Sequence, residues 1–200
     1  MGLSKPLGTE KSWHYETGLY QKIGKNTDMK VSVYYIDIDN YLVYNTASSY
    51  YASTYAYSIP SMKFYGFEGE FNTYLFEGFN LFGNYSYRES KYDDRKDITD
   101  AASPYFLNLP AKHKANLGIR YELPLAIKIS GDIKYVGKRK SESGKTMGDY
   151  ATVDVGVSKT FYKFCKISAF VSNLLGEKYQ EVYGFPEPRQ TYGMQMELTY

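Results

Sequence analysis

The sequence predicts an all-β chain: an antiparallel transmembrane β-barrel segment of about nine long strands, with short periplasmic turns and long extracellular loops. Three observations carry that expectation. Runs of about nine to twelve residues alternate apolar and polar, the connections alternate short and long, and charge keeps to one parity through the middle of each run. Alternation with period two is the strand signature, and helical periodicity is absent almost everywhere. Strands of soluble proteins usually run to about five or six residues, whereas a tilted strand needs about nine to eleven to cross a bilayer.

The runs fall at roughly 13–23, 29–39, 64–76, 80–91, 112–122, 126–137, 150–160, 165–174 and 190–200. Short connections lie at Gly24–Asp28, Glu77–Phe79, Leu123–Leu125 and Phe161–Phe164, and long ones at 40–63, 92–111, 138–149 and 175–189. A barrel with tight turns on one side and long loops on the other requires that rhythm, which puts Tyr200 on the periplasmic side.

Parity is the sharpest signal. In 126–137, Ile127, Ile129, Ile133 and Tyr135 share a face with Gly131, opposite Lys128, Ser130, Asp132 and Lys134. In 112–122, Ala115, Leu117, Ile119 and Tyr121 oppose Lys114, Asn116, Arg120 and Glu122. Tyr65, Phe67, Phe71 and Leu75 oppose Glu68, Glu70 and Asn72, and Val153, Val155 and Val157 oppose Asp154, Gly156 and Ser158. The last run sets Tyr192, Met194, Met196, Leu198 and Tyr200 against Gln195, Glu197 and Thr199. Arg or Lys at a bilayer midplane costs about 2–4 kcal/mol, and that penalty would enforce such segregation. The exceptions Asp37 and Lys159 are expected near strand ends, where the cost fades.

Composition agrees. Tyrosine contributes 24 of the 200 residues and phenylalanine 11, and an amphipathic ring suits a membrane rim. Mean hydropathy is −0.49, which reads as soluble for helices but not for a barrel whose alternate residues face a polar lumen. The 24 basic and 22 acidic residues leave a net charge of +2, without the basic stripe of a nucleic-acid binder. The single cysteine excludes an internal disulfide or a cysteine-based zinc site. No cofactor is expected. The first residues lack an apolar secretion segment, so a membrane reading makes residues 1–200 a piece of a longer protein.

The segment Asn173-Leu174-Leu175-Gly176-Glu177-Lys178-Tyr179-Gln180-Glu181-Val182-Tyr183-Gly184-Phe185-Pro186-Glu187-Pro188-Arg189 resembles the penultimate-loop signature of TonB-dependent outer-membrane receptors. Glu10 to Gly18 resembles that family's "Glu-x-Ser-x-x-Tyr-Glu-x-Gly" strand opening. Tyr65 to Glu70 resembles its "x-Gly-x-Glu-x-Glu" strand, and Asn108 to Leu117 resembles a strand entry of the same family. Leu175 replaces the usual Phe, no Gly follows Pro188, and the chain ends on Tyr rather than Phe or Trp.

The resemblance implies the last nine strands of a barrel of about twenty-two, in the outer membrane of a Gram-negative bacterium. A plug domain, earlier strands and a TonB-contacting segment would lie elsewhere in the parent receptor. It implies energised import of a scarce nutrient chelate, such as a ferric siderophore or cobalamin, and no enzyme. Its partners would be outer-membrane lipid, the plug and earlier strands, the TonB complex, the barrel assembly machinery and a small-molecule metal chelate. Alternatives are a small self-contained barrel with a structural or adhesive role, or a soluble tyrosine-rich carbohydrate-binding β-domain.

Candidate sites follow. Tyr41, Tyr44, Tyr50, Tyr51, Tyr55 and Tyr57 sit in the 40–63 connection, where rings could stack on a ligand or sit among lipid headgroups. Tyr50, Tyr51, Tyr55 and Tyr57 are the candidate ligand contacts. Glu68, Glu70, Arg88, Lys114, Arg120, Lys128, Asp132 and Lys134, with Glu16, Glu122 and Asp154, are expected to face the lumen. There they would meet the plug, line the ligand path or pair with each other. Tyr192, Met194, Met196, Leu198 and Tyr200 resemble the C-terminal assembly signal of such barrels. Asp93, Asp94, Asp97 and Asp100 lack the spacing of a calcium hand and are interleaved with Arg95 and Lys96. His14 and His113 have no nearby cluster of Cys, Asp and His, so an interfacial aromatic role is expected in place of a metal site, and Cys165 falls on the lipid parity.

Overall fold

The structure is a computed structural model that describes residues 8–46, 54–92, 109–141, 145–162 and 164–199, with backbone alone along 43–46 and 54–57. Among the described residues nine strands form one antiparallel sheet: β1 (Lys11–Ile23), β2 (Thr27–Thr46), β3 (Thr54–Phe76), β4 (Phe79–Tyr92), β5 (His113–Leu123), β6 (Ile127–Val136), β9 (Tyr150–Phe161), β10 (Cys165–Ser172) and β13 (Thr191–Leu198). Each pairs with the one before and the one after, and β1 and β13 are the two edges of an open sheet. Two small hairpins sit inside long connections: β7 (Arg139–Lys140) with β8 (Thr146–Met147), and β11 (Gln180–Val182) with β12 (Phe185–Pro186).

Every predicted strand is present, and the largest departure is at 40–63. β2 and β3 run on as a paired ribbon to Thr46 and Thr54, so Tyr41, Tyr44, Tyr55 and Tyr57 belong to strands. Period-two patterning fades there because the ribbon outruns β1, whose last pair is Lys11 with Asp39. The ladder skips one step between Asp39–Ser61 and Tyr41–Ile59. At that step Pro60 has no amide hydrogen to donate, and Asn40 adopts φ 55°. Asn40 then donates to the Thr9 carbonyl, and Glu10 accepts from the Leu42 amide. Asp37 is consequently mid-strand rather than near a strand end, and it pairs with Lys63 at 3.6 Å.

Pairings join residues of equal parity until the last, where odd residues of β10 meet even residues of β13 (Ile167 with Met196, Ala169 with Met194). The switch keeps the apolar face continuous across all nine strands. Leu19, Val31, Phe67, Leu117, Ile133, Val157, Ile167 and Met194 stand exposed on it. Among the described residues the buried apolar set is small: Ile38, Ile59 and Met62 at one site, Ala111, Val136 and Tyr150 at a second, and Met147. A soluble protein does not leave so broad an apolar surface to water, whereas in a bilayer the acyl chains cover it.

Aromatic rings bound that face at both ends. Trp13, Tyr15, Tyr35, Tyr65, Tyr87, His113 and Tyr135 mark the loop side. Phe76, Phe79 and Tyr121, with ring centroids 4.8–5.7 Å apart, mark the turn side with Phe161. Phe76 joins that cluster because a register shift between Tyr74 and Phe76 turns it to the apolar side. Tyr65 to Phe76 covers about 37 Å along the strand, or roughly 28 Å along the membrane normal at a tilt of about 40°, enough for an apolar band of about 25 Å.

Candidate functional site

The opposite face of the sheet carries the charges. Register places Glu68, Glu70, Arg88, Lys114, Arg120, Lys128, Asp132 and Lys134 all on this polar face. Arg120 pairs with Asp132 at 3.0 Å, Lys128 with Glu122 at 2.5 Å, Lys30 with Glu70 at 3.9 Å and Lys166 with Glu197 at 3.7 Å. These side chains are roughly half exposed, so each pair contributes no more than about 1 kcal/mol. The ladder holds the wall together, and the pairs decide which charges remain available to a partner. Glu68 and Glu70 border a polar cleft with Lys30, Ser32, Asn84 and Ser86. Arg88 donates to the Tyr34 hydroxyl at 3.1 Å, and Asn116 donates to Asn84 at 2.8 Å.

Phe82 and Phe170 interrupt this polar wall, each lying over a cross-strand glycine. Phe82 faces Gly118 and Phe170 faces Gly193. A Cβ at Gly118 would stand 2.3 Å from the Phe82 ring, and one at Gly193 2.2 Å from the Phe170 ring. The missing side chain is therefore a steric requirement. The Arg120 guanidinium lies over the Phe82 ring, 4.9 Å from its centroid. Sequence parity assigns both phenylalanines to the polar side but gives no reason for them, because cross-strand pairing is not local information.

The connection between β10 and β13 folds back onto this wall around one buried residue. Asn173, 5% exposed and at φ 51°, receives the Glu177 amide on its side-chain oxygen and donates to the Glu177 and Pro188 carbonyls. Its own amide donates to Asp154 at 2.7 Å. Gln190 donates to the Leu174 carbonyl and Arg189 to that of Gly176. Further along, Tyr179 stacks on Tyr150 with centroids 4.2 Å apart. Glu181 accepts from the Tyr150 hydroxyl at 2.6 Å and from Lys134 at 2.8 Å. Arg139 donates to the Gln180 carbonyl, and Lys145 donates to the Tyr183 hydroxyl at 2.7 Å. The Lys134 hydrogen bond, then that of Tyr150, holds the Glu181 carboxyl below its ordinary value, and burial raises the Tyr179 hydroxyl. Parity and spacing alone give no reason to single out Tyr34, Tyr150, Arg139 or Asn173. Asn173, Tyr179 and Glu181 lie inside the family-like segment, which was the available signal.

His113 lies between Tyr85, which shares a 2.7 Å hydrogen bond with it, and Tyr87, 5.2 Å away centroid to centroid. His14 approaches Glu16 at 3.7 Å. Cys165 stands on the apolar face opposite Phe161 and Leu198. Among the described residues no group of three metal-ligating side chains occurs. Tyr192, Met194, Met196 and Leu198 project from that same face and are strongly exposed. Tyr50, Tyr51, Asp93, Asp94, Asp97, Asp100 and Tyr200 lie outside the described residues, as do the side chains of Tyr55 and Tyr57.

The nine-strand meander with one apolar and one charged face agrees with a comparison against protein families: the family "TonB dependent receptor-like, beta-barrel" matches residues 3–174. The chain belongs to the TonB-dependent receptors. These are outer-membrane receptors and transporters of Gram-negative bacteria rather than enzymes. The ferrioxamine receptor of Yersinia enterocolitica is 25% identical over 186 residues, covering 88% of this chain and 25% of that protein. Among solved structures, the copper transporter OprC superposes with a TM-score of 0.78 at 17% identity, over 98% of this chain and 33% of that one. The FrpB iron transporter of Neisseria meningitidis gives 0.76 at 15% identity, over 98% and 32%. The pyoverdine receptor FpvA of Pseudomonas aeruginosa, bound to pyoverdine, gives 0.72 at 16% identity, over 98% and 31%. These structural likenesses establish the fold. The chain spans about a quarter of the length of its curated relative and about a third of these solved chains.

Proposed function

We propose that residues 1–200 form the C-terminal wall of a TonB-dependent transporter that imports a ferric siderophore across the outer membrane. The observation that carries this reading is the continuous apolar band across nine antiparallel strands with both edges unpaired. A bilayer does not tolerate an open sheet edge, so the wall needs the remaining strands of a parent barrel. In that reading the polar face lines the lumen. Glu68, Glu70, Arg88, Lys114, Arg120, Lys128, Asp132 and Lys134 face the plug or the ligand path. Tyr50, Tyr51, Tyr55 and Tyr57 are the candidate ligand contacts from the connection that joins β2 to β3. Iron chelates are favoured over cobalamin because relatives named for a cargo are a ferrioxamine receptor, a pyoverdine receptor, an iron transporter and a copper transporter.

The test is uptake of radioactive iron by a siderophore-deficient Gram-negative strain expressing the parent receptor. Hydroxamate and catecholate chelates would be supplied one at a time, with and without TonB. TonB-dependent accumulation of one chelate is expected; no accumulation with any of them refutes import of iron chelates. Tyr192, Met194, Met196, Leu198 and Tyr200 are assigned to recognition by the barrel assembly machinery. Deleting residues 192–200 is expected to abolish insertion, and a normal heat-modifiable band in the membrane after that deletion would refute the assignment.

A further inference from the structure

The apolar face ceases to be apolar at its loop-side end, and it does so in ordered rows. Moving outward across β2, β3 and β4, the paired residues change from Val33–Phe67–Tyr87 to Tyr35–Tyr65–Glu89 and then to Asp37–Lys63–Lys91. A row led by Val33 and Phe67, then one of two tyrosines and a glutamate, then one of charges alone follows the order of a membrane crossed from hydrocarbon to headgroup. The third row places two lysines directly opposite each other, an arrangement that by itself destabilises a sheet. Asp37 reaches Lys63 at 3.6 Å. The Lys91 ammonium instead lies over the Tyr65 ring, 5.5 Å from its centre. Lys112, held to Glu89 at 2.7 Å, adds a third ammonium beside Tyr87.

We infer that the Lys63–Lys91 pair, flanked by Lys112 and Tyr65, seats the phosphate of an anionic lipid of the outer leaflet. This rests on the membrane-spanning reading of the wall and is independent of the cargo. Directly opposed residues have Cβ atoms about 5 Å apart, so two flexible ammonium groups can converge on the oxygens of one phosphate. Asp37 and Glu89 offset two of the three ammonium groups, and the anion would meet the positive charge that remains at Lys91, which lies over a ring rather than against a carboxylate. A free phosphate ion offers the same headgroup chemistry. It does not account for the tyrosine row beneath, or for the Val33–Phe67 row below that, where acyl chains would continue from the same headgroup.

The test uses the purified full-length receptor that contains this wall, in non-ionic detergent, with a diphosphorylated lipid A as probe. Binding is counted by native mass spectrometry. Each lysine near an anionic headgroup is worth roughly fivefold in affinity, so K63Q/K91Q should weaken binding about 25-fold and K91Q alone about fivefold. Lys166→Gln, a lysine of the polar face, should leave it unchanged. Fully dephosphorylated lipid A should bind the native receptor no better than the phosphorylated lipid binds the double variant. Equal binding by native and double-variant receptors, or equal binding of the dephosphorylated lipid, overturns the site. Displacement of the lipid by millimolar inorganic phosphate reassigns it to a free anion. If the double variant lacks the heat-modifiable folded band, the K91Q titration decides. Neither cargo nor TonB is present, so failure of the import reading would leave this result untouched, and its failure would leave import untouched.

Discussion

A charge placed at the centre of the apolar face gives the most direct measure of how the wall is solvated. Leu117 lies midway between His113 and Tyr121 on that face of β5, about 13 Å along the strand from each. At a strand tilt of about 40° it sits roughly 10 Å below one ring belt and above the other, beyond easy reach of the headgroups. Its neighbours in register are Gly83 and Ile133, neither of which can pair with a cation. Leu117→Arg should therefore cost about 2–4 kcal/mol for the buried charge, and roughly another 1 kcal/mol for the leucine's apolar contact with lipid. Asn116→Arg, one residue away, puts the same cation on the polar face near Asn84 and loses only the 2.8 Å Asn116–Asn84 hydrogen bond, worth about 1 kcal/mol. Guanidinium unfolding of the parent receptor in phosphatidylcholine vesicles, followed by the gel shift of the folded barrel, should separate the two variants by about 3 kcal/mol. Equal destabilisation, or a larger effect at Asn116, would mean that the apolar face meets protein rather than lipid.

Three further outcomes follow from the geometry. Gly193→Val forces a side chain into the Phe170 ring and should prevent the last strand from pairing, with the membrane-inserted fraction falling severalfold; F170A should restore insertion in the double variant, and failure to restore it would show that the ring is not the obstacle. Asn173→Ala removes the group that ties Glu177 and Pro188 together, at a cost of about 3 kcal/mol, and should open the segment between Gly176 and Gly184 to protease while the nine strands stay intact. The Glu181 carboxyl is held below its ordinary value first by Lys134 and then by Tyr150, so its contribution is present above the ordinary carboxylate range and is lost as pH falls through the folded value. Protease protection of the same loop should decline as pH falls below the ordinary carboxylate range, and E181Q should show no such decline.

What the sequence determined by itself was the class and the faces. Strand length, one-sided charge and the rhythm of connections are properties of single runs, because each residue's transfer to lipid or water is decided by its own chemistry. Turn-formers such as Gly24 and Gly78 acted locally as well, and the family-like segment 173–189 marked the loop that closes on the wall. Tertiary pairing decided the rest. Asn40 and Pro60 read as loop residues, yet the β2–β3 ribbon continues past them because each strand supplies the other's hydrogen bonds. Nothing in either strand alone announces that Phe170 covers Gly193, or that β10 meets β13 with opposite parity. Nor does the run around Lys63 reveal that Lys91 stands across from it, or the 173–189 segment that Glu181 returns to Lys134 and Tyr150. Register and loop closure depend on residues far apart in the chain, and those distances are set when backbone donors and acceptors find partners across the sheet, not by the composition of any one strand.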